Sequence, residues 1–311
     1  MKRPLWRVIQ AATVVAVLGF VGFRIADQWT ELSSIPRNLH PDYVLLMASA
    51  GAVLLSYSVL IWTWQRTVRA WGEQLAFGDA ARIWFVSNLG RYVPGKVWQI
   101  GAMGVMAQRV GVSPVAAVGS SLVISIVNIL AGAAVAAIGG AGDVGAPSWA
   151  LPTAVVVAIG LLAAPWILPR AMAVASALLR TEITVPRLPH SAVWIAAAGC
   201  AVAWLLYGVA FRLLHIALLG HATGNLAGST SAFTLSYLAG FLFLPAPGGI
   251  GVREDVLYRL LAQVGIATGG EAWLVVLGSR LWLTVLEVLP GVLFLAMRSR
   301  NSAVSPSEPT A

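Results

Sequence analysis

Six apolar runs, each about the length that crosses a hydrocarbon core as a helix, alternate with short polar connections along the chain: Val8 to Ala26, Tyr43 to Trp64, Val115 to Gly139, Trp149 to Leu168, Ala192 to Ile216 and Ala272 to Met297. Two further apolar stretches, residues 75–112 and 230–266, are interrupted in the middle by proline and glycine. The pattern predicts an all-α polytopic integral membrane protein with about six transmembrane helices and two re-entrant broken-helix hairpins. Residues 1–300 form one membrane domain on this reading, and 301–311 a short polar cytoplasmic tail.

Composition agrees with a bilayer as solvent. Of 311 residues 59% are hydrophobic and 10% charged, against roughly a quarter charged in an ordinary globular domain. The net charge of +8 is spread among the connections, which fits orientation in a membrane and not nucleic-acid binding. If both interrupted stretches return to the side they enter from, Lys2, Arg3, Arg7, Arg66, Arg69, Arg82, Arg91, Lys96, Arg109, Arg170, Arg180, Arg187, Arg298 and Arg300 share one face. Arg24, Arg37, Arg253 and Arg259 fall on the other. Positive charge gathers on the cytoplasmic side, so both termini are expected in the cytoplasm of a cell with this protein in its inner or cytoplasmic membrane. MKRPLWR and the apolar run to Phe23 have the charge pattern of a signal peptide, but Arg24, Asp27 and Gln28 follow with no small-residue cleavage site. The first run is therefore expected to stay as a span.

The interrupted stretches resemble each other. SNLGRYVPGKVWQIGAMGVMAQRVGVS starts at Ser87 and SYLAGFLFLPAPGGIGVREDVLYRLLAQVGIA at Ser236; each has Ser-x-Leu, a Pro-Gly break and a helical segment reaching glutamine shortly before Val-Gly. With three spans between them, the second copy is expected to be inverted relative to the first, a recurring transporter plan. In lipid, broken backbone persists only where protein encloses it or water reaches it, so each break implies a polar cavity. Restarting helices there present unpaired N–H groups that suit an anion, and glycine permits close approach. Arg91 and Lys96 add positive charge at the first break, whereas Glu254 and Asp255 occupy the first turn after the second. An anionic head group is therefore expected nearer the first hairpin.

Charges within apolar runs are costly and mark candidate sites. Arg280, Thr284 and Glu287 share one face of the last span at i, i+4 and i+7. Glu287 suits pairing with an arginine, a substrate amine or a transported proton, and an ion pair with Arg212 or Arg253 is the structural alternative. Arg280, near the span end, suits either the cavity or the membrane surface. Ser121, Ser125 and Asn128 repeat the spacing on the third span, for interhelical hydrogen bonds or the cavity wall. The expected substrate-binding set is Asn88, Arg91, Tyr92 and Lys96 in the first hairpin, Gly248, Gly249, Gly251, Arg253 and Glu254 in the second, and Arg280 and Glu287 in the last span. Arginine, lysine and helix N-termini there suit a lipid phosphate, while Arg253 with Glu254 as a lock on the hairpin stays open. Cys200 stands alone and His40, His190, His215 and His221 are dispersed, so no metal or other cofactor is expected. VPGK lacks the flanking residues of a nucleotide-binding phosphate loop.

The segments SNLGRYVPGK and LPAPGGIGVRE resemble the membrane region of the lysylphosphatidylglycerol synthase family, flippase-like membrane proteins of bacteria and archaea. The resemblance runs from roughly Leu5 to Met297. It implies an integral membrane protein that handles a lipid, the relatives moving aminoacylated phosphatidylglycerol between leaflets. After Arg300 only about a dozen polar residues follow, so the domain that attaches an amino acid to lipid in those relatives is not expected here. The expectation is a translocase of an anionic or aminoacylated phospholipid, or of a lipid-linked intermediate, and not a synthase. A membrane enzyme acting on a lipid-linked substrate, and a non-catalytic partner in an envelope-synthesis complex, are the alternatives, with a homo-oligomer also open.

Overall fold

The computed structural model describes residues 40–92, 97–140, 189–243 and 247–297, with scattered positions before residue 40 and between residues 152 and 170. Among the described residues the chain is all-helical: α1 Tyr43–Ala70, α2 Phe77–Asn88, α3 Val97–Gln108, α4 Pro114–Gly140, α5 His190–Leu219, α6 Leu226–Leu242, α7 Val252–Gln263 and α8 Gly269–Ala296. Four of these, α1, α4, α5 and α8, are long and apolar enough to cross a membrane, and they coincide with four of the six expected spans. The remaining two, Val8 to Ala26 and Trp149 to Leu168, lie outside the described residues apart from scattered positions.

Helix ends follow local chemistry. Asp42 caps α1 by accepting from the Val44 and Leu45 N–H groups at 2.9 and 3.1 Å, and Asn225 caps α6 by accepting from Gly228 at 2.6 Å. At its other end α1 runs past Trp64 to Ala70, because Gln65 and Arg69 both donate to the Leu75 carbonyl, at 2.7 and 3.0 Å. Those bonds tie the polar last turns to the start of the next element.

The two interrupted stretches close alike. α3 ends with the Val112 N–H on the Ala107 carbonyl and the Gly111 N–H on that of Gln108, at 3.0 and 3.2 Å. α7 ends with Ile266 on Leu261 and Gly265 on Ala262, at 2.9 and 3.3 Å. Both are Schellman caps, requiring positive φ at the glycine, which is 79° at Gly111 and 66° at Gly265. Val112 and Ile266 are buried beneath them. The repeated Val-Gly of the sequence is thus a repeated helix stop.

Element order then reads long, short, short, long twice. Packing respects the same exchange of halves: α4 lies on α6 as α8 lies on α2, and α1 lies on α2 as α5 lies on α6. α1 and α5, the equivalent first helices, form the most extensive contact. Ser49 donates to the Ala210 carbonyl at 2.8 Å and Ser56 to that of Ala203 at 3.0 Å, so residue numbers rise on one helix as they fall on the other. The two helices are antiparallel. Small residues permit this closeness, and a Cβ on Gly199 would strike the Thr63 side chain. Gly199→Leu is therefore expected to lower stability by about 1–3 kcal/mol through overpacking. Gly51→Leu, where the added atom meets nothing within 4 Å, should be nearly neutral; thermal unfolding in detergent compares them.

Outward positions such as Leu55, Leu122, Val202, Leu205, Val285 and Leu289 are exposed. That apolar exterior is compatible with a membrane protein.

Candidate functional site

Gly90 and Gly249, in the turns beside the two helix breaks, are buried. α2 ends in a tight 3₁₀ turn, Leu89–Tyr92, and the second hairpin carries another, Pro247–Gly249; the two turns touch each other. α8 packs along α2, α5 and α7. The protein thus brings both breaks and one apolar span to a single place.

The second break is held by a small set of polar groups. Gly251 has φ 89° and stands at the N-cap of α7, where its N–H donates to Glu254 Oε2 at 2.7 Å. This is the backward half of a capping box. The other carboxylate oxygen, Oε1, faces Arg280 Nε at 3.4 Å, and Arg280 Nη2 donates to the Gly248 carbonyl at 3.0 Å. Arg280 therefore ties α8 to the turn and to the first residues of α7 at once. It does not reach for the membrane surface: its side chain is 8% exposed and that of Glu254 2%. Arg253 stacks on rings of α6, its guanidinium carbon 4.7 Å from the Tyr237 ring centre and 5.3 Å from that of Phe233. Such stacking stabilises a desolvated arginine. Asp255 is exposed and pairs with Arg259 at 3.0 Å, so of the two acidic residues in the first turn only Glu254 belongs to the interior.

Between α6, α7 and α8 lies a cavity bordered by Gly248, Gly249, Arg253, Arg280, Thr284 and Glu287. Thr284 donates back to the Arg280 carbonyl at 2.8 Å, and Glu287, like Arg253, Glu254 and Arg280, is buried. Two cations and one anion thus border one pocket, with Glu254 buried behind Arg280, and among buried groups a low dielectric magnifies every change of charge. Matched against protein-family models and curated proteins, the chain finds no counterpart in either. The site rests on its geometry.

Of the expected substrate-binding residues, Gly248, Gly249, Arg253, Arg280 and Glu287 border the cavity. Glu254 holds Arg280 from behind, and Gly251 supplies the N–H that orients Glu254. Asn88, 1% exposed at the end of α2, accepts from Gln99 Nε2 at 2.5 Å, closing the first break from α2 to α3. It opens on a neighbouring space and not on the charged cavity. Arg91 and Tyr92 fall in the turn Leu89–Tyr92, with side chains outside the described residues, as Lys96 is entirely. Glu254 pairs with Arg280 of the last span, a partner the sequence did not offer for it. Arg212, a proposed partner for Glu287, instead donates to the Gly224 carbonyl at 3.0 Å.

Sequence reading missed Tyr57, Gln99, Tyr237 and Phe241, which border the cavity from α1, α3 and α6. Gln99 carried a usable signal, being a polar side chain two residues into an apolar helix that follows the first break. The tyrosines carried none, since aromatic residues recur throughout the spans.

Proposed function

We propose that this protein is a lipid translocase, similar in plan to the flippase-like membrane region of the lysylphosphatidylglycerol synthase family. The carrying observation is the buried Arg280–Glu254 pair with Arg253 and Glu287 around one cavity, beside two touching helix breaks, inside an apolar exterior. Buried charge of this kind is hard to explain as packing alone, because a well-packed apolar cluster would be at least as stable. A head group entering the cavity replaces its hydration with fixed donors and acceptors while its acyl chains stay in the bilayer. Arg253 and Arg280 suit a phosphate, and Glu287 suits an amine where the head group carries one. The substrate class is an anionic or aminoacylated phospholipid, or a lipid-linked intermediate.

The same reading gives the topology. α2, α3 and α7 are 12 residues each, about 18 Å at 1.5 Å per residue, short of a hydrocarbon core of about 30 Å. They suit hairpins that enter and return. Antiparallel α1 and α5, at equivalent positions of the two halves, suit an inverted repeat. Six spans, cytoplasmic termini and a cell-membrane location complete the proposal.

Purified protein in liposomes with labelled phospholipids tests it, following both leaflet exposure and chemical identity of the label. Movement without chemical change is the expected result. A new lipid species would replace the proposal with an enzyme, and neither movement nor conversion would leave a scaffold. Glu287→Gln is expected to slow movement at least about tenfold, the scale of one charge-assisted hydrogen bond, with the folded protein recovered intact on size-exclusion chromatography.

A further inference from the structure

A second chamber adjoins the charged one and shares Tyr57, Gln99, Tyr237 and Phe241 as its wall. Its chemistry is different. Among the described residues it has no Asp, Glu, Lys, Arg or His in its lining, which is built from the rings of Trp84, Trp204, Tyr57, Tyr207 and Tyr237 with the short polar side chains of Asn88, Ser125 and Asn128.

Two donors in that lining lack acceptors. Trp84 Nε1 and Asn88 Nδ2 are buried, and neither has a hydrogen-bond partner among the described residues. They stand four residues apart, on one face of α2. By contrast Trp204 Nε1, across the chamber, donates to the Asn128 carbonyl at 2.9 Å. A buried N–H without an acceptor costs about 1–3 kcal/mol, so two together at one wall point to an occupant that supplies acceptors.

The lining discriminates between occupants. Aromatic walls alone would also suit a quaternary ammonium, but N–H groups carry partial positive charge and oppose a cation. A phosphate finds its full charges next door, at Arg253 and Arg280. Hydroxyl groups remain: they accept from N–H donors, donate to amide and hydroxyl oxygens, and sit on a ring whose C–H face packs against aromatics. We infer that the second chamber binds a sugar or polyol ring, the uncharged part of a head group whose phosphate sits in the charged chamber. The transport half of this statement rests on the translocase reading; the binding half does not.

Binding to the full chain in detergent is read by intrinsic tryptophan fluorescence with three probes: a polyprenyl phosphate, the same lipid carrying one hexose on the phosphate, and a soluble hexose 1-phosphate. The glycosylated lipid is expected to bind about tenfold tighter than the bare lipid phosphate. Trp84→Phe keeps an aromatic ring and removes the N–H, and should cut that preference about five-fold, the loss of one neutral hydrogen bond, without changing affinity for the bare phosphate. Asn128→Leu, on the opposite wall, serves the same purpose should Trp84→Phe not fold. Equal binding of the two lipids, or a preference unchanged in the folded variant, overturns the sugar chamber. Hexose phosphate binding as tightly as the glycosylated lipid keeps the chamber and removes the lipid as its source.

The same lipids in liposomes separate the two proposals. Preferential binding with no movement of any lipid sinks the translocase and leaves the chamber. Movement of both lipids at one rate, with equal binding, sinks the chamber and leaves the translocase.

Discussion

Replacing Arg280 by methionine is expected to abolish lipid movement and to lower stability by about 3–5 kcal/mol, the usual result of removing one partner from a buried ion pair. The substitution preserves much of the apolar stem and removes only the charge and its donors. Glu254 is then left facing the vacated space from 2% exposure, and the Gly248 carbonyl loses its donor. Glu254→Gln should cost less, because a glutamine carbonyl still accepts from the Gly251 N–H and keeps the capping box. Arg280 also keeps Gly248 in that variant. Combining Arg280→Met with Glu254→Gln should therefore be more stable than Arg280→Met alone, since no uncompensated carboxylate remains. A double-mutant cycle on unfolding in detergent measures this, with a coupling of at least about 1 kcal/mol expected for groups in direct contact. Additive effects would mean that the two side chains act independently. Movement should stay lost in the double variant, which separates holding the fold from handling the head group.

The physical logic of this pair also shows what one-dimensional reading reaches. Four spans were legible because an apolar run of about 20 residues has few other uses. Their ends were less so: α1 continues to Ala70 through Gln65, Arg66 and Thr67, held by bonds to Leu75 that no local pattern announces. The breaks were legible because proline and glycine have restricted roles within a helix. Glu254 could be placed in the first turn of α7 from its spacing to Gly251. Its partner could not, since Arg280 is a neighbour only after the second hairpin has docked on α8. For Arg280 the sequence left cavity and membrane surface both open, because it lies near the end of an apolar run; the turn from another element that covers that end draws it inward. The second chamber stayed invisible for a similar reason. Trp84 and Asn88 are ordinary residues of a short helix, and only the enclosure formed by α1, α4, α5 and α6 around α2 makes their N–H groups informative.

Docking of that hairpin depends on a place where two backbones meet without side chains. Gly240 on α6 and Gly249 in the second turn face each other. A Cβ on Gly249 would lie 2.5 Å from the Gly240 carbonyl oxygen and 2.6 Å from its Cα, and Gly249 has φ 69°. Gly249→Ala therefore incurs two costs: about 1–2 kcal/mol for the left-handed backbone and about 1–3 kcal/mol for a contact that backbone atoms cannot relieve by changing rotamer. Gly265→Ala isolates the first cost. It has nearly the same φ, 66°, with nothing within 4 Å of the added atom. The expected order is thus a loss of roughly 2–5 kcal/mol for Gly249→Ala against about 1–2 kcal/mol for Gly265→Ala, measured by unfolding in the same detergent. Function should divide more sharply. Pushing the turn off α6 moves Gly248, whose carbonyl holds Arg280, and so opens the cavity wall; Gly265 lies at the far end of α7, beyond its last turn. Lipid movement is expected to vanish in Gly249→Ala and to survive in Gly265→Ala. If both variants lose the same stability and keep the same activity, the close approach of α6 and the turn is not what positions Arg280.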